Sequence, residues 1–352
     1  MGAPRGIYML LNWVLNPFFT SISEPSSSLH MASKFTKSFL ITGGTNGLGL
    51  YAAKDIAKKY PDAVVVVASR KDKDGAATWV NEQLGQNNVR FMALDLGDFK
   101  NIRSFVKTWA EAKLPPISAL LLNAALQFPE GTTYTTDGIE ATFGIAHVGH
   151  ALLFSLLQSH LADEARIVVT SSGVHDPAMT KGMPLPNYTT AEEVAHPTGA
   201  LLKVDGRQRY STAKLCNVLW MYALDRRLKQ LRNKKWTVVA MDPGLMPGTG
   251  LAREAGPFFR FLWMKVLPRI MPVLRILISP NIHIPEESGA NLAWVAVDEI
   301  QKSTSAVYYE GRKQIESSVD SHNEKWQEDL WSWTVKTLAT NEEERGHFDM
   351  AQ

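Results

Sequence analysis

Short apolar runs alternate with longer stretches of helical periodicity along the chain from residue 38 onward. The run at 63–68 contains four consecutive valines, which is typical of a strand buried on both faces of a parallel sheet. This alternation predicts βαβ units and therefore an α/β fold, with one doubly wound parallel sheet and helices on both faces. We predict strands at 38–42, 63–68, 89–94, 117–122, 166–170, 236–241 and 307–309, and helices at about 48–59, 73–84, 98–112, 137–162 and 209–231.

The composition limits the class of protein and its partners. The 352 residues are 45% hydrophobic, which is enough for one large domain with a substantial core. The formal net charge is only +2, which argues against a nucleic-acid partner. The lone cysteine, Cys216, cannot form an internal disulfide or a cysteine zinc site, which indicates an intracellular protein. We predict no metal site. We expect Cys216 to be a small buried hydrophobic residue.

The two ends of the chain differ in character from its body. Residues 7–19 are apolar but contain Pro17 and two asparagines, and they are fewer than the roughly 20 residues that span a bilayer. Residues 21–37 are rich in serine and are interpreted as a linker. An interfacial anchor and an unstructured extension both fit the first segment, and Met31 is an alternative start. We therefore divide the chain into an N-terminal segment and linker at 1–37, one domain at 38–338 and a polar tail at 339–352.

A glycine-rich turn follows the first predicted strand and precedes a helix. Gly43, Gly47 and Gly49 have the spacing G-x-x-x-G-x-G. One glycine permits the tight turn, one lets the backbone approach a pyrophosphate, and one lets the helix pack close to the strand. The N-terminus of the helix directs N–H groups and the positive end of its dipole at phosphate. We predict a Rossmann-type dinucleotide site formed by Gly43, Thr45, Asn46, Gly47, Leu48 and Gly49.

The residue after the second predicted strand bears on which dinucleotide binds. An acidic residue there would hold the adenosine ribose hydroxyls of NAD, but this chain has Arg70. A planar guanidinium suits the 2′-phosphate of NADP, so NADP is the predicted cofactor. Asp72 lies two residues further on and keeps NAD open as the less favoured alternative. A solvated charge at a strand end is the other interpretation of Arg70.

Tyr210 and Lys214 are one helical turn apart in the last of these predicted helices. Residues at i and i+4 lie on one face, so the phenol and the ammonium group point the same way. A free tyrosine has a pKa of about 10, and a fixed cation nearby lowers that pKa toward the range useful for proton transfer. We therefore predict Tyr210 as a proton donor or acceptor.

Several stretches resemble one known family. Residues 42–49 resemble the T-G-x-x-x-G-[IL]-G pattern of the short-chain dehydrogenase/reductase family. Residues 137–150 resemble the D-G-x-E-x-x-F-x-x-N-H-x-G-H stretch of its retinol dehydrogenase and protochlorophyllide reductase branch. The resemblance covers roughly 37–338 and implies that Ser172 orients the substrate, Tyr210 is the general acid or base, and Lys214 binds the nicotinamide ribose and tunes Tyr210. It also implies cofactor contacts from Asp95, Asn123, Tyr210, Lys214, Pro243, Gly244 and Thr249; for Asn123, holding the sheet together is the alternative.

One position departs from the pattern of this branch. The branch has an asparagine where this chain has Ala146, and in the family that asparagine supports a water-mediated proton path to the lysine. The substitution puts such a relay in doubt. His147 and His150 are candidates to replace it, although packing within the helix is the expected role of both.

The substrate side is predicted from an apolar region in which the family has a variable lid, at about 250–285. Residues 257–279 are strongly apolar but interrupted by cations and prolines. The apolar face predicts a hydrophobic small-molecule substrate of the terpenoid, polyketide, steroid or retinoid type. The interleaved cations also fit a lid that rests on a membrane surface, and an ordinary pair of core helices is the alternative.

These observations predict an NADP-dependent oxidoreductase that transfers a hydride between the nicotinamide and a carbonyl or alcohol carbon. Two rival functions remain: a non-catalytic NADP-binding regulatory protein, which Ala146 favours, and a redox-neutral isomerase or epimerase of the same fold. We expect the protein in the cytoplasm or peripheral on an intracellular membrane. A homodimer formed through helices that flank the sheet is left open.

Overall fold

A single eight-stranded sheet lies at the centre of the computed structural model, which describes residues 35–128, 130–180, 182–249, 256–277, 279–298 and 303–350. The strands are β1 (Lys37–Thr42), β2 (Ala63–Ser69), β3 (Val89–Ala93), β4 (Ile117–Leu122), β5 (Leu161–Thr170), β6 (Lys235–Asp242), β7 (Val307–Glu310) and β8 (Lys313–Ile315). Their order is β3-β2-β1-β4-β5-β6-β7-β8, and only the β7–β8 pair is antiparallel. This order confirms the predicted doubly wound α/β fold.

Helices cover both faces of the sheet. They are α1 (Gly47–Lys59), α2 (Ala76–Leu84), α3 (Phe99–Glu111), α4 (Ala141–Phe143), α5 (Gly149–Leu157), α6 (Ala191–Ala195), α7 (Gly206–Leu228), α8 (Pro257–Phe261), α9 (Met271–Leu277), α10 (Pro285–Val297), α11 (Glu324–Leu338) and α12 (Glu342–Phe348). Alternate residues of each strand point to opposite faces, so Val64 and Val66 of β2 join one core while Val65 and Val67 join the other. Helices α3, α5, α7 and α11 contribute to the first core, and α1, α2 and α10 contribute to the second.

The long helix predicted at 137–162 is shorter and less regular than expected. Gly138 has a left-handed backbone (φ +80°), and the Glu140 side chain caps α4, so the helix begins only at residue 141. A π-helical turn at Gly144–Val148 joins α4 to α5, and β5 begins at Leu161 because that residue pairs with β4. Among the described helices, the run Ala141–His160 alone is long and apolar enough to cross a bilayer, but 89% of its most apolar window is buried.

The C-terminal part of the chain contains helices that were not predicted. Helices α10, α11 and α12 and strand β8 were not among the predicted elements. The segment at 339–352, predicted as a polar tail, contains α12, and Phe348 and Met350 are buried against the first core. At the other end, the N-terminal apolar segment and all but the last three residues of the serine-rich linker lie outside the described residues.

Candidate functional site

The glycine-rich turn between β1 and α1 has the backbone shape that a bound pyrophosphate needs. Gly43 and Gly47 adopt left-handed conformations, with φ of +68° and +53°. A methyl group on Gly49 would lie 2.6 Å from the carbonyl oxygen of Gly43, so only glycine permits this helix to start so close to the strand. The Asn46 side chain does not cap α1, so it leaves the N–H groups of the first turn free of a side-chain bond from the N-cap position. The turn therefore fits a dinucleotide phosphate, with Thr45 half-buried in it and Leu48 packed in the core.

Arg70 lies where the end of β2 meets this turn. The Gly43 N–H group donates a hydrogen bond to the carbonyl oxygen of Ala68 at 2.7 Å, which places the following residues of β2 beside the turn. Arg70 is exposed and forms no ion pair within the described part of the chain. The Asp72 carboxylate accepts hydrogen bonds from the N–H groups of Ala76 (2.7 Å) and Ala77 (3.4 Å). Asp72, the residue that left NAD open as the cofactor, is therefore bonded to the start of α2, whereas the Arg70 guanidinium is exposed to solvent.

Two further predicted contacts lie at neighbouring strand ends. The Asn123 amide donates to the carbonyl oxygen of Thr42 at 2.9 Å, and its backbone N–H donates to the Thr42 hydroxyl at 2.9 Å. Asn123 therefore joins the ends of β1 and β4, in agreement with the sheet-holding alternative. Asp95, half-buried after β3, accepts a hydrogen bond from the N–H of Gly97 at 3.0 Å.

Helix α7 positions Tyr210 and Lys214 against the end of β5. The Lys214 ammonium donates to the carbonyl oxygen of Thr170 at 2.8 Å and lies 5.5 Å from the centre of the Tyr210 ring. The Ser171 hydroxyl donates to the carbonyl oxygen of Lys214 at 2.8 Å. Because Ser172 follows directly, the structure brings all three predicted catalytic residues to one end of β5.

Burial dominates the electrostatics of this pair. Tyr210 is 8% exposed, and no described residue forms a hydrogen bond with its hydroxyl group. Burial, and then the charge of Asp242, raise the pKa of Tyr210 above its ordinary value. Burial lowers the pKa of Lys214 to about 7, and the attraction of Asp242 partly opposes that fall. The expectation that a nearby cation lowers the pKa of Tyr210 is therefore wrong, because burial outweighs the effect of Lys214. The phenol keeps its proton at neutral pH, and Lys214 changes its protonation state close to pH 7.

Asp242 is a buried acid of this site that the sequence analysis missed. It ends β6 and is 4% exposed. Its carboxylate accepts hydrogen bonds from the Gly244 N–H at 3.0 Å and the Asn281 amide at 2.7 Å. Burial raises the pKa of Asp242. An acid at the end of a buried strand, immediately before Pro243-Gly244, was the available signal.

The loop after β6 brings Thr249 to the glycine-rich turn. Gly244 is left-handed (φ +81°), and the carbonyl oxygen of Pro243 accepts a hydrogen bond from Ser288 at 2.7 Å. A methyl group on Gly47 would lie 3.8 Å from the Thr249 methyl carbon. The predicted nicotinamide contact and the predicted phosphate turn are therefore neighbours in space.

His175 is a second residue that the sequence analysis missed, and it holds the backbone of Ser172. The N–H of Ser318 donates to Nε2 of His175 at 3.1 Å, so Nε2 must be unprotonated. Nδ1 then carries the proton and donates it to the carbonyl oxygen of Ser172 at 2.8 Å. Burial lowers the pKa of His175, which favours this neutral form. Ser318 is remote in sequence, so no local pattern could reveal the link.

The helix that carries Ala146 has no polar side chain at that position. Ala146 is 1% exposed, and its carbonyl oxygen pairs with Nδ1 of His150 at 3.1 Å. Nε2 of His150 pairs with the Thr42 hydroxyl at 2.8 Å, and His147 stacks on Phe143 with ring centres 5.2 Å apart. Burial lowers the pKa of His147 to about 3 and that of His150 to about 4. Both imidazoles therefore pack as neutral groups.

Two further observations concern the lone cysteine and metal binding. Cys216 is fully buried, so its thiol does not meet solvent. Within the described ranges, no three His, Cys, Asp or Glu side chains are clustered as metal ligands.

The sequence of this chain is similar to a known protein family and to several of its members. A sequence model of the family described as short chain dehydrogenase matches residues 37–191. A chloroplastic protochlorophyllide reductase of Daucus carota is 30% identical over 295 residues, which cover 78% of this chain and 70% of the carrot protein. A polyprenol dehydrogenase of Danio rerio is 27% identical over 336 residues, covering 93% of this chain and 92% of the fish protein.

The architecture also matches solved structures. The crystal structure of an uncharacterised protein from Mycobacterium paratuberculosis superposes with a TM-score of 0.62 at 21% identity. The match covers 87% of this chain and 96% of the mycobacterial one. At this identity the likeness concerns the fold.

Proposed function

This chain belongs to the short-chain dehydrogenase family and is an oxidoreductase, and from that premise we propose that it transfers a hydride between NADP(H) and a carbonyl or alcohol carbon of a hydrophobic small molecule. We take 38–338 as its catalytic domain. The observation that carries the proposal is the buried Lys214 ammonium, 5.5 Å from the Tyr210 ring and bonded to the end of β5 beside Ser172. A lysine buried at this depth costs stability, so a functional reason for it is expected.

The cofactor would lie across the carboxyl ends of the strands. The turn at Gly43, Gly47 and Gly49 would hold the pyrophosphate, and Thr249, beside that turn, would bond the nicotinamide carboxamide. Arg70 would pair with the 2′-phosphate, since it is exposed and Asp72 is engaged elsewhere. When bound, the reduced nicotinamide supplies the hydride.

The protein side chains would orient the substrate oxygen and donate the proton. The Ser172 hydroxyl and the Tyr210 phenol would orient the substrate oxygen, and His175 would keep the Ser172 backbone in place. Tyr210 would donate its proton as negative charge develops on that oxygen. Lys214 would bind the nicotinamide ribose and stabilise the resulting phenolate.

The substrate class is supported by the surface around the site and by the relatives. The segment at 256–277 exposes many large apolar side chains, as a contact surface for a hydrophobic molecule would. The names of two relatives, polyprenol dehydrogenase and protochlorophyllide reductase, also refer to large, mainly apolar compounds. We therefore propose a hydrophobic ketone, aldehyde or alcohol that the enzyme meets at a membrane surface.

NADPH oxidation followed by absorbance, against a panel of hydrophobic ketones and aldehydes, tests the function. At least one member is expected to give turnover and one equivalent of alcohol. Tight NADPH binding with no turnover across ketones, aldehydes and the reverse alcohol reaction would favour a regulatory protein instead. A product that forms without net loss of NADPH would favour an isomerase or epimerase.

Replacing Arg70 with serine is expected to weaken NADPH binding by a factor of about 10–100 and to leave NADH binding nearly unchanged. A charge-assisted hydrogen bond of about 1.5–3 kcal/mol to the 2′-phosphate accounts for that factor. Titration of both cofactors by fluorescence measures it. Lys107→Ser, which removes a highly exposed cation of α3, is the matched control. An equal loss for both cofactors would contradict the assignment of Arg70.

A further inference from the structure

Residues 256–277, called here the lid segment, expose an unusual amount of apolar surface. The segment comprises α8, a π-helical turn at Leu262–Val266, a 3₁₀ turn at Leu267–Ile270, and α9. Ile276 is 84% and Phe258 76% exposed, values more typical of lysine than of large apolar residues. The exposed apolar side chains of the segment are Phe258, Phe259, Phe261, Met264, Ile270, Val273, Ile276 and Leu277.

The charges of the lid segment are all of one sign. Arg260, Lys265 and Arg269 are exposed, and within the described residues none of them pairs with a carboxylate. Arg275 pairs with Glu287 of α10. The sequence of the segment contains no aspartate or glutamate. Apolar side chains are thus interleaved with three cations that have no acidic partner in the part of the chain that the structure describes.

The opposite side of the lid segment is fixed to the loop that carries Thr249. Trp263 is 7% exposed and donates a hydrogen bond from Nε1 to the carbonyl oxygen of Thr249 at 3.0 Å. Met271 is also buried. A methyl group on Gly248 would lie 3.2 Å from a carbon of Pro268, which shows how closely the loop and the segment pack. The segment therefore has an inner side held by the cofactor loop and an outer side that is apolar and cationic.

We propose that the outer side of the lid segment docks on a lipid bilayer rich in anionic headgroups. The apolar side chains would enter the boundary between headgroups and acyl chains, and Arg260, Lys265 and Arg269 would bind lipid phosphates. A second copy of the chain fits less well, because a twofold contact would place two lid segments face to face, each with these three cations and neither with an aspartate or glutamate. This inference rests on the proposed function only in giving the docked surface a purpose, namely entry of a hydrophobic substrate from the bilayer.

Docking also has a direct connection to the cofactor site. Any shift of the lid segment on the bilayer acts on Thr249 through the Trp263 hydrogen bond. Since Thr249 is the proposed nicotinamide contact, a seated lid would stabilise the cofactor loop while the substrate enters. Trp263→Phe keeps the buried ring but removes this bond.

A fluorescent reporter on the full chain tests the docking. The only native cysteine, Cys216, is fully buried, so an introduced surface cysteine can be labelled selectively with the polarity-sensitive dye NBD. Labels at Ile276→Cys and Phe258→Cys are expected to brighten and shift to the blue with phosphatidylserine-containing vesicles. Phosphatidylcholine vesicles should act more weakly, and added salt should reverse the response. A label at Val319→Cys, which is 89% exposed outside the segment, should not respond.

A pair of charge variants separates docking from net charge. Combined Arg260→Gln, Lys265→Gln and Arg269→Gln should weaken the phosphatidylserine response at residue 276 at least tenfold. The matched triple variant Lys107→Gln, Lys203→Gln and Lys313→Gln removes the same charge from exposed positions elsewhere and should leave the response unchanged. Equal loss in both would overturn the proposal, as would silent lid labels on vesicle-bound protein. A response that follows protein concentration without vesicles would identify a second copy as the occupant instead.

These measurements need neither NADPH nor substrate, so failure of docking and failure of the oxidoreductase assignment can be told apart. With a substrate from the panel, vesicles should lower KM for wild type but not for the lid charge variant. Vesicles should also raise the affinity of the wild type for NADPH, because the seated lid segment would stabilise the loop that carries Thr249. Trp263→Phe should retain the label response and lose this rise in NADPH affinity. An unchanged effect in Trp263→Phe would overturn the link to Thr249 alone.

Discussion

Replacing Tyr210 with phenylalanine is expected to lower kcat by a factor of about 10²–10⁴, the range that a positioned acid or base contributes. The variant keeps the ring beside the Lys214 ammonium and removes only the hydroxyl, which no described residue bonds. Packing and cofactor binding should therefore change little. The expected result is a loss in kcat with a Kd for NADPH within about twofold of wild type.

Tyr222→Phe provides the matched control on the same helix. Tyr222 lies on α7 twelve positions after Tyr210, is partly buried and pairs with the Ser317 hydroxyl at 2.8 Å. Its loss should leave kcat unchanged. Single-turnover reduction with bound NADPH measures the chemical step for all three proteins. Undiminished turnover by Tyr210→Phe would refute the role given to that phenol.

The electrostatics of Tyr210 bear on the direction of the reaction. Burial and Asp242 raise the pKa of this phenol, so it holds its proton at neutral pH and is ready to donate it. Oxidation of an alcohol would first require that proton to leave. The protonated phenol is the form that reduction of a carbonyl requires, and a raised pH should favour oxidation, because oxidation releases a proton.

The fold was accessible from the sequence because its signals are local. The four valines of β2 and the glycines after β1 each report on a few consecutive residues, and such signals survive without tertiary information. The predicted helix at 137–162 ran too far at both ends because apolar periodicity does not record where neighbouring strands pair. Leu161 enters β5 through its contact with β4, which no local pattern contains.

The site was accessible only in part, for a related reason. Tyr210 and Lys214 are separated by one helical turn, so their proximity follows from helix geometry alone. His175 bonds the carbonyl oxygen of Ser172 directly, but its tautomer is fixed by the N–H of Ser318, 143 positions further along the chain, and that link cannot be predicted before the chain is folded. Asp242 is an intermediate case. Its position at the end of a strand could be predicted from the sequence, but its effect on the pKa values of Tyr210 and Lys214 depends on burial.

Lys214→Met is expected to stabilise the cofactor-free protein while abolishing useful turnover. Burial lowers the pKa of Lys214 from 10.5 to about 7, so between those two pH values the unfolded chain binds more protons than the folded one. The free energy of unfolding contributed by this group therefore rises with pH from about 7 to 10.5, and the full penalty is present below pH 7. Its removal should raise the free energy of unfolding at neutral pH by roughly 1–4 kcal/mol.

In Lys214→Met the carbonyl oxygen of Thr170 would lose its bond to the ammonium group but would keep a second hydrogen bond. The Asn217 amide also donates to the carbonyl oxygen of Thr170, at 3.2 Å, so methionine leaves no orphaned acceptor. Urea unfolding at several pH values should show the gain over wild type shrinking as pH rises toward about 10. Lys214→Arg retains a permanent charge and should show no such gain at any of these pH values. A methionine variant less stable than wild type at pH 7 would mean that the ammonium stabilises the fold, and the functional reason for burying it would then disappear.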